Sequence, residues 1–370
     1  MKTARGVPAQ TGALFAICPP GLEDLVAGEI HEAGFAEVQA MRGGVLFVGD
    51  ALAANRALAT PTRILQRVSQ FEARDFAALQ RGTAAVDWSR WGSEGFALEV
   101  SAHRSRLYHT GAIAERVAAL VPAGSLGLYV RFEDDVCTLS VDTSGELLHR
   151  RGWRVETGPA PLRETLAAAL LRRAGWVPGE ALYDPMCGSG TFVIEAAVQA
   201  AGLAPGRLRH FACEGFIPMT GVAHATPAPA AIGLASRPAT PLRLPHPTRI
   251  GASDRARPVV ESARRNAARA GVELSIEAVE AAHARPPAPA DDSTPGLLIC
   301  NPPYDRRALG AAHALERLAL ALAGPFRTWR AAILGPEVRA ANQLGRRVLE
   351  SFPVVNGGLR LSFALLAPAG

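Results

Sequence analysis

The 370-residue chain predicts two domains: an α+β unit over about 1–155, then an α/β unit over 156–370 with a mostly parallel sheet that ends in an antiparallel hairpin. Three observations carry this. The length exceeds what one compact core usually serves. Strand and helix patterns follow one another irregularly in the first part but alternate in the second. A polar stretch punctuated by Gly and Pro, "RGWRVETGPAP", separates the two.

In the first part, "GALFAIC", "GGVLFVG", "FALEVSA" and "CTLSVD" read as strands, and "GLEDLVAGEIHEAGF" and "TGAIAERVAALV" as helices. No glycine-rich turn joins strand to helix there, so recognition rather than nucleotide binding is its expected task. After the boundary, "LRETLAAALLRRAGW" repeats leucine and alanine at helical spacing. The runs "ALYD", "RIGASD", "LLICNPP" and "AAILG" then alternate with helical segments, as a sheet with crossover helices requires. Residues 218–249, rich in Pro and Ala and without an acid, read as a surface insertion. Near the end, Asn356-Gly357 stands between two strand-like runs and predicts the turn of a hairpin.

Composition narrows the function classes. Hydrophobic residues make up 48% and charged residues 20%, an ordinary balance for a chain with a real core. The net charge of +5 suits a polyanionic partner, but a single lysine among many arginines also marks a compositional bias. Five cysteines, Cys18, Cys137, Cys187, Cys213 and Cys300, are scattered and never spaced as CxxC, so neither a disulfide framework nor a zinc site is indicated. The apolar run "ALFAIC" is too short for a signal segment and is cut by Pro19-Pro20. No run reaches the length of a membrane span, so a cytoplasmic protein is expected.

The chemistry is concentrated at strand ends. In "ALYDPMCGSGTFVIEAA" an apolar run stops at Asp184 and crosses a Gly-Ser-Gly turn into a helix starting near Thr191. Ligands of parallel sheets sit at such ends, where glycines allow close approach and the helix N-terminus offers free N–H groups. The turn is neither GxGxxG nor a GK[ST] loop, which disfavours NAD and ATP. At the next strand end Asp254 is placed to accept both hydroxyls of a ribose, with a surface helix-starting aspartate as the competing reading. Glu280 falls near a third strand end and is a candidate for an adenine amino group, or else a solvated glutamate. Asn301, Pro302, Pro303 and Tyr304 form the sharpest motif. The Asn301 carboxamide oxygen and the Pro302 carbonyl can accept the two hydrogens of a planar amine, aiming its lone pair at an electrophilic methyl, while Tyr304 stacks on the ring. Together the sites hold an adenosine-like methyl donor and an amine to receive its methyl.

These motifs, with "CPPGLEDLVAGEI", "SAHRSRLYHTGAIAERV", "VDTSGELLHRRGWR" and "APGRLRHFACEGF", resemble the class I S-adenosylmethionine-dependent RNA methyltransferases with an N-terminal THUMP domain. The likeness is to the bacterial guanine-N2 methyltransferases of large-subunit ribosomal RNA, and it covers nearly the whole chain. It implies a ferredoxin-like unit plus THUMP segment before a Rossmann-like class I methyltransferase domain. It also implies Asp184, Cys187, Gly188, Gly190 and Thr191 at the methionine end of S-adenosylmethionine, Asp254 at the ribose, and Glu280 with Ala281 at the adenine. Asn301 to Tyr304 would hold the target amine. The sequence departs from the family pattern at Asp305, where glycine is common, and in "SDRARP", where an Asp-x-Asp-Pro run is usual. Arg104, Arg106 and Arg307 are candidates for RNA phosphate contacts, with a plain solvated arginine as the competing reading for each. The partner expected is ribosomal RNA, with transfer RNA as the alternative. Rival readings are an amine methyltransferase acting on adenine N6 or a protein glutamine, and an RNA-binding protein that no longer transfers methyl groups.

Overall fold

The computed structural model describes residues 12–91, 94–156, 162–216, 249–287, 295–303, 308–335 and 343–369, with only the backbone of 308–311. Tyr304, Arg307 and residues 218–248 of the expected insertion lie outside the described residues. The chain divides into two compact units, one running to Leu148 and returning from His210, the other holding His149–Arg209 and the C-terminal part. The division thus falls seven residues before the expected boundary at 155. The return is physical: Cys213 N donates to Thr143 O (3.1 Å) and Phe216 packs edge-on against Trp91.

The first unit is one seven-stranded sheet of β1 (Leu14–Ile17), β2 (Ala36–Met41), β3 (Gly44–Val48), β4 (Arg63–Glu72), β5 (Phe96–His103), β6 (Leu126–Glu133) and β7 (Val136–Asp142), in the order β2-β3-β1-β4-β7-β6-β5. Only β5 and β6 run parallel among its pairs. Side chains alternate along these strands. Leu14, Ala16, Val45, Phe47, Leu128, Val130 and Phe132 are buried with Val26 and Ile30 of α1 (Glu23–Glu32), Ala54 of α2 (Ala51–Ala57), Leu79 of α3 (Phe76–Ala84), and Ile113 and Val117 of α4 (Thr110–Ala118). The opposite face carries Phe15, Arg67 and Tyr129, partly buried, and Arg131, exposed. The β6–β7 turn is Asp134-Asp135, both at positive φ (50° and 64°), a conformation that aspartate tolerates better than most side chains.

The second unit bears out the expected α/β sheet. Its strands are β8 (Leu182–Asp184), β9 (Ile250–Asp254), β10 (Ser275–Ala278), β11 (Leu297–Cys300), β12 (Arg330–Gly335), β13 (Val348–Asn356) and β14 (Leu359–Leu366), ordered β10-β9-β8-β11-β12-β14-β13. The first five in that order are parallel; β14 and β13 are antiparallel and close the edge. The hairpin turn lies one residue later than the sequence predicts. Asn356 still pairs with Leu359, and the two loop residues are Gly357 and Gly358, at φ 57° and 84°. Two glycines in the left-handed region satisfy the turn with less strain than Asn-Gly would. Strand order reverses at β8, with β9 on one side and β11 on the other, so their carboxyl ends frame a crevice. Among the described residues no helix is long and apolar enough to cross a membrane.

Candidate functional site

The loop after β8 is shaped by glycines and by backbone bonds to β9. Gly188 and Gly190 have positive φ (54° and 88°), and Gly190 is the N-cap of α6 (Thr191–Ala200). Cys187 N donates to Ser253 O (2.9 Å) and Gly188 N to Asp254 Oδ2 (3.2 Å), which fastens the loop to the end of β9. A Cβ on Gly188 would meet nothing within 4 Å, so open space lies beside that backbone. Asp184 is 2% exposed and accepts a bond from Met186 N (3.0 Å). Burial, together with the nearby Asp254 and against the Met186 bond, pushes its carboxyl up to about 8. Cys187 is also buried; burial and the neighbouring carboxylates hold its thiol well above its ordinary value, so it stays neutral.

Asp254 uses both carboxylate oxygens, Oδ2 for Gly188 N and Oδ1 for Ala256 N (3.0 Å). Each oxygen retains a second acceptor position. Glu280 precedes a 3-10 turn at Ala281–His283; its carboxylate lies 3.7 Å from Arg317, and Ala281 is buried. β11 pairs Leu298 with Tyr183 of β8. Asn301 therefore stands two residue levels beyond Asp184, in the same strand direction. Asn301 Oδ1 is buried and, among the described residues, has no hydrogen-bond partner. Pro302 is buried and Pro303 exposed. An orphaned amide oxygen is costly unless something donates to it. The strand ends thus bring together Asp184, Cys187, Gly188, Gly190, Thr191 and Asp254, with Asn301 on the adjoining strand.

Three further residues of this unit were not singled out from the sequence. Asn266, fully buried on α7 (Arg257–Arg269), donates to Ser189 O and Glu156 O (both 3.2 Å) and so anchors the Gly-Ser-Gly turn. The signal was there: a polar residue inside the apolar stripe Val260, Ala263, Ala267. Arg154 donates to Thr191 Oγ1, and its guanidinium lies 2.9 Å from Glu164 at the start of α5 (Glu164–Arg173). Burial drives the Glu164 carboxyl up to about 7, against the pull of Arg154. Nothing in "RGWRVE" alone distinguishes Arg154 from its neighbours.

In the first unit Arg104, itself at positive φ (46°), pairs with Asp134 and Glu133 (2.8 and 2.7 Å). Arg106 is exposed, and its backbone N donates to Asp135 Oδ1 (2.7 Å). Both positions lock the segment after β5 to the β6–β7 turn. Among the described residues no group of three or more His, Cys, Asp or Glu side chains could hold a metal.

Comparison with known proteins bears on both units. Residues 151–362 match the family model described as RMKL-like, methyltransferase domain, and residues 13–68 match the RlmL ferredoxin-like domain. The chain is 32% identical to a Synechocystis sp. protein provisionally named an RNA methyltransferase, over 97% of each chain. It is 34% identical to the ribosomal RNA large subunit methyltransferase K/L of Methylococcus capsulatus, covering 97% of this chain and 52% of that one. The chain therefore spans about half the length of the K/L relatives. Among solved structures, SMU.472, provisionally named a methyltransferase and complexed with SAH, superposes with a TM-score of 0.77 at 26% identity. That match covers 97% of this chain and 98% of the other.

Proposed function

The chain belongs to the RMKL-like methyltransferase-domain family, and from that premise we propose that it methylates guanine N2 of large-subunit ribosomal RNA, using S-adenosylmethionine. One observation carries the reading: the buried Asn301 Oδ1, without a partner among the described residues, at the end of the strand adjoining the glycine turn. The names of the K/L relatives supply the choice of ribosomal RNA.

The residues fit the cofactor. Gly188 leaves room for close approach, the N-terminus of α6 offers free N–H groups, and the remaining acceptor positions of Asp254 suit ribose hydroxyls. Asp184, Cys187, Gly190 and Thr191 line the methionine end, and Glu280 with Ala281 borders the adenine. S-adenosylmethionine supplies an electrophilic methyl on a sulfonium. Asn301 Oδ1 and the Pro302 carbonyl accept the two amine hydrogens, which disfavours delocalisation of the lone pair into the ring and holds it in line. Pro302 and Pro303 stiffen the turn that aims that carbonyl. Tyr304 stacks on a guanine that is unpaired or flipped from its helix. The first unit, as a ferredoxin-like and THUMP domain, grips the RNA, with Arg104, Arg106 and Arg307 as phosphate contacts.

The test is incubation of the purified chain with undermethylated large-subunit ribosomal RNA and methyl-labelled S-adenosylmethionine, followed by nucleoside mass spectrometry. N2-methylguanosine is expected. Label in N6-methyladenosine would move the target base, and label only in transfer RNA would move the partner. No label in any RNA would overturn the reading.

A further inference from the structure

The face of the first unit's sheet opposite its helices holds a cavity of about 530 Å³ that the methyl-transfer site does not use. Its size falls in the range of small-ligand sites. Phe15 of β1, Arg67 and Gln70 of β4, Ser101 of β5, and Tyr129 and Arg131 of β6 line it. They share one face because side chains alternate along each strand, and the bulge between Arg67 and Ser69 brings Gln70 onto it as well.

The charge there is one-sided. Four arginines and one glutamate, Glu133, are in the lining. Glu133 is shared between Arg104 and Arg131 (2.7 and 2.9 Å), and Arg104 also holds Asp134. Arg67 forms no ion pair among the described residues; one N–H lies 3.6 Å from Met41 Sδ, and its guanidinium stacks over the Phe15 ring at 5.6 Å. Burial and the like charge of Arg131 hold Arg67 below its ordinary value. A partly buried cation beside a second cation is stabilised by an anion. Phe15 and Tyr129 line the same concavity, each with a guanidinium over its ring, Arg67 at 5.6 Å and Arg63 at 5.9 Å. An aromatic lining with cations beside it suits a base next to a phosphate, where a free anion would need no ring.

We propose that this cavity is a docking site for a single-stranded segment of the RNA substrate, with a phosphate between Arg67 and Arg131 and a base stacked against Tyr129. The proposal rests on the reading of the chain as an RNA methyltransferase. It places the recognition step on the open sheet face rather than on the Arg104–Arg106 segment alone.

The experiment uses the full chain and a fluorescent single-stranded oligoribonucleotide, titrated over a range of salt concentrations. For Arg67→Gln combined with Arg131→Gln, affinity should fall at least about tenfold and the slope of log K against log salt should lose roughly 0.7 units, the share of the one phosphate the two arginines hold. Tyr129→Ala should lose about tenfold in affinity with the slope unchanged. Gln70→Glu, isosteric but acidic, should weaken binding without disturbing the fold. SAH affinity should be unaltered in all of them. Wild-type affinity and slope in the variants, or no binding of single-stranded RNA by the wild type, would overturn the docking site. Weakened binding in the variants together with a wild type that methylates no RNA would instead support the docking site and sink the activity.

Discussion

Asp184 is where the sequence posed the plainest question, an acid closing an apolar strand. Its carboxyl is buried and pushed up to about 8, above the unfolded value near 3.8. A group raised on folding contributes stability that is full below the unfolded pKa and is lost as pH rises through the folded one. The free chain should therefore melt at a lower temperature at pH 8 than at pH 5, and Asp184→Asn should flatten part of that fall. An unchanged pH slope in the variant would contradict the burial argument. A cation-bearing ligand beside Asp184 favours its ionised form, so SAH or S-adenosylmethionine binding should release a proton near neutral pH. Binding enthalpies measured in two buffers of different ionisation heat would detect it. Asp184 and Asn301 were legible as sequence because each ends an apolar run. Asn266 and Arg154 were not singled out, because their importance comes from partners 77 and 37 residues away.

The glycine turn and helix α6 separate strain from ligand contact. Gly190 sits at φ 88°, and a Cβ there would lie 3.0 Å from Ile194 Cδ1 and 3.3 Å from Ala263 Cβ. Gly190→Ala should cost about 1–2 kcal/mol for the left-handed backbone alone, with packing strain added. Gly188→Ala shares the backbone strain, but its methyl would enter open space where a ligand approaches. Its loss of SAH affinity, by calorimetry, should exceed its loss of stability by denaturant melts, and Gly190→Ala should show the reverse order. Equal effects from both would refute this division. Other elements show why pattern reading stops short. β4 breaks its alternation at the bulge between Arg67 and Ser69, so its two faces exchange parity and no single period describes it. β6 carries a plain alternation, Leu126, Leu128, Val130 and Phe132 inward, and is as regular a strand pattern as any in the chain. The hairpin turn shifted by one residue because Asn356 takes a ladder position and leaves the turn to two glycines.

Across the whole molecule, two sheets with separate cores divide the work. The second sheet was legible because its runs are short, apolar and closed by polar residues at their carboxyl ends. The first was only half legible, since its open face mixes arginine, aromatic and hydroxyl side chains that mimic loop composition. The return of residues 210–216 to the first unit could not be read locally, since it depends on Thr143 and Trp91. The central claim, that an amide oxygen waiting at the end of β11 receives the target amine, is tested most directly by Asn301→Ala. SAH affinity and transfer to large-subunit ribosomal RNA would be measured on the same preparation. The account predicts SAH binding within about twofold of the wild type and transfer reduced by roughly 10²–10³, as for the loss of one preorganised group at a reacting centre. Wild-type transfer by Asn301→Ala would contradict it.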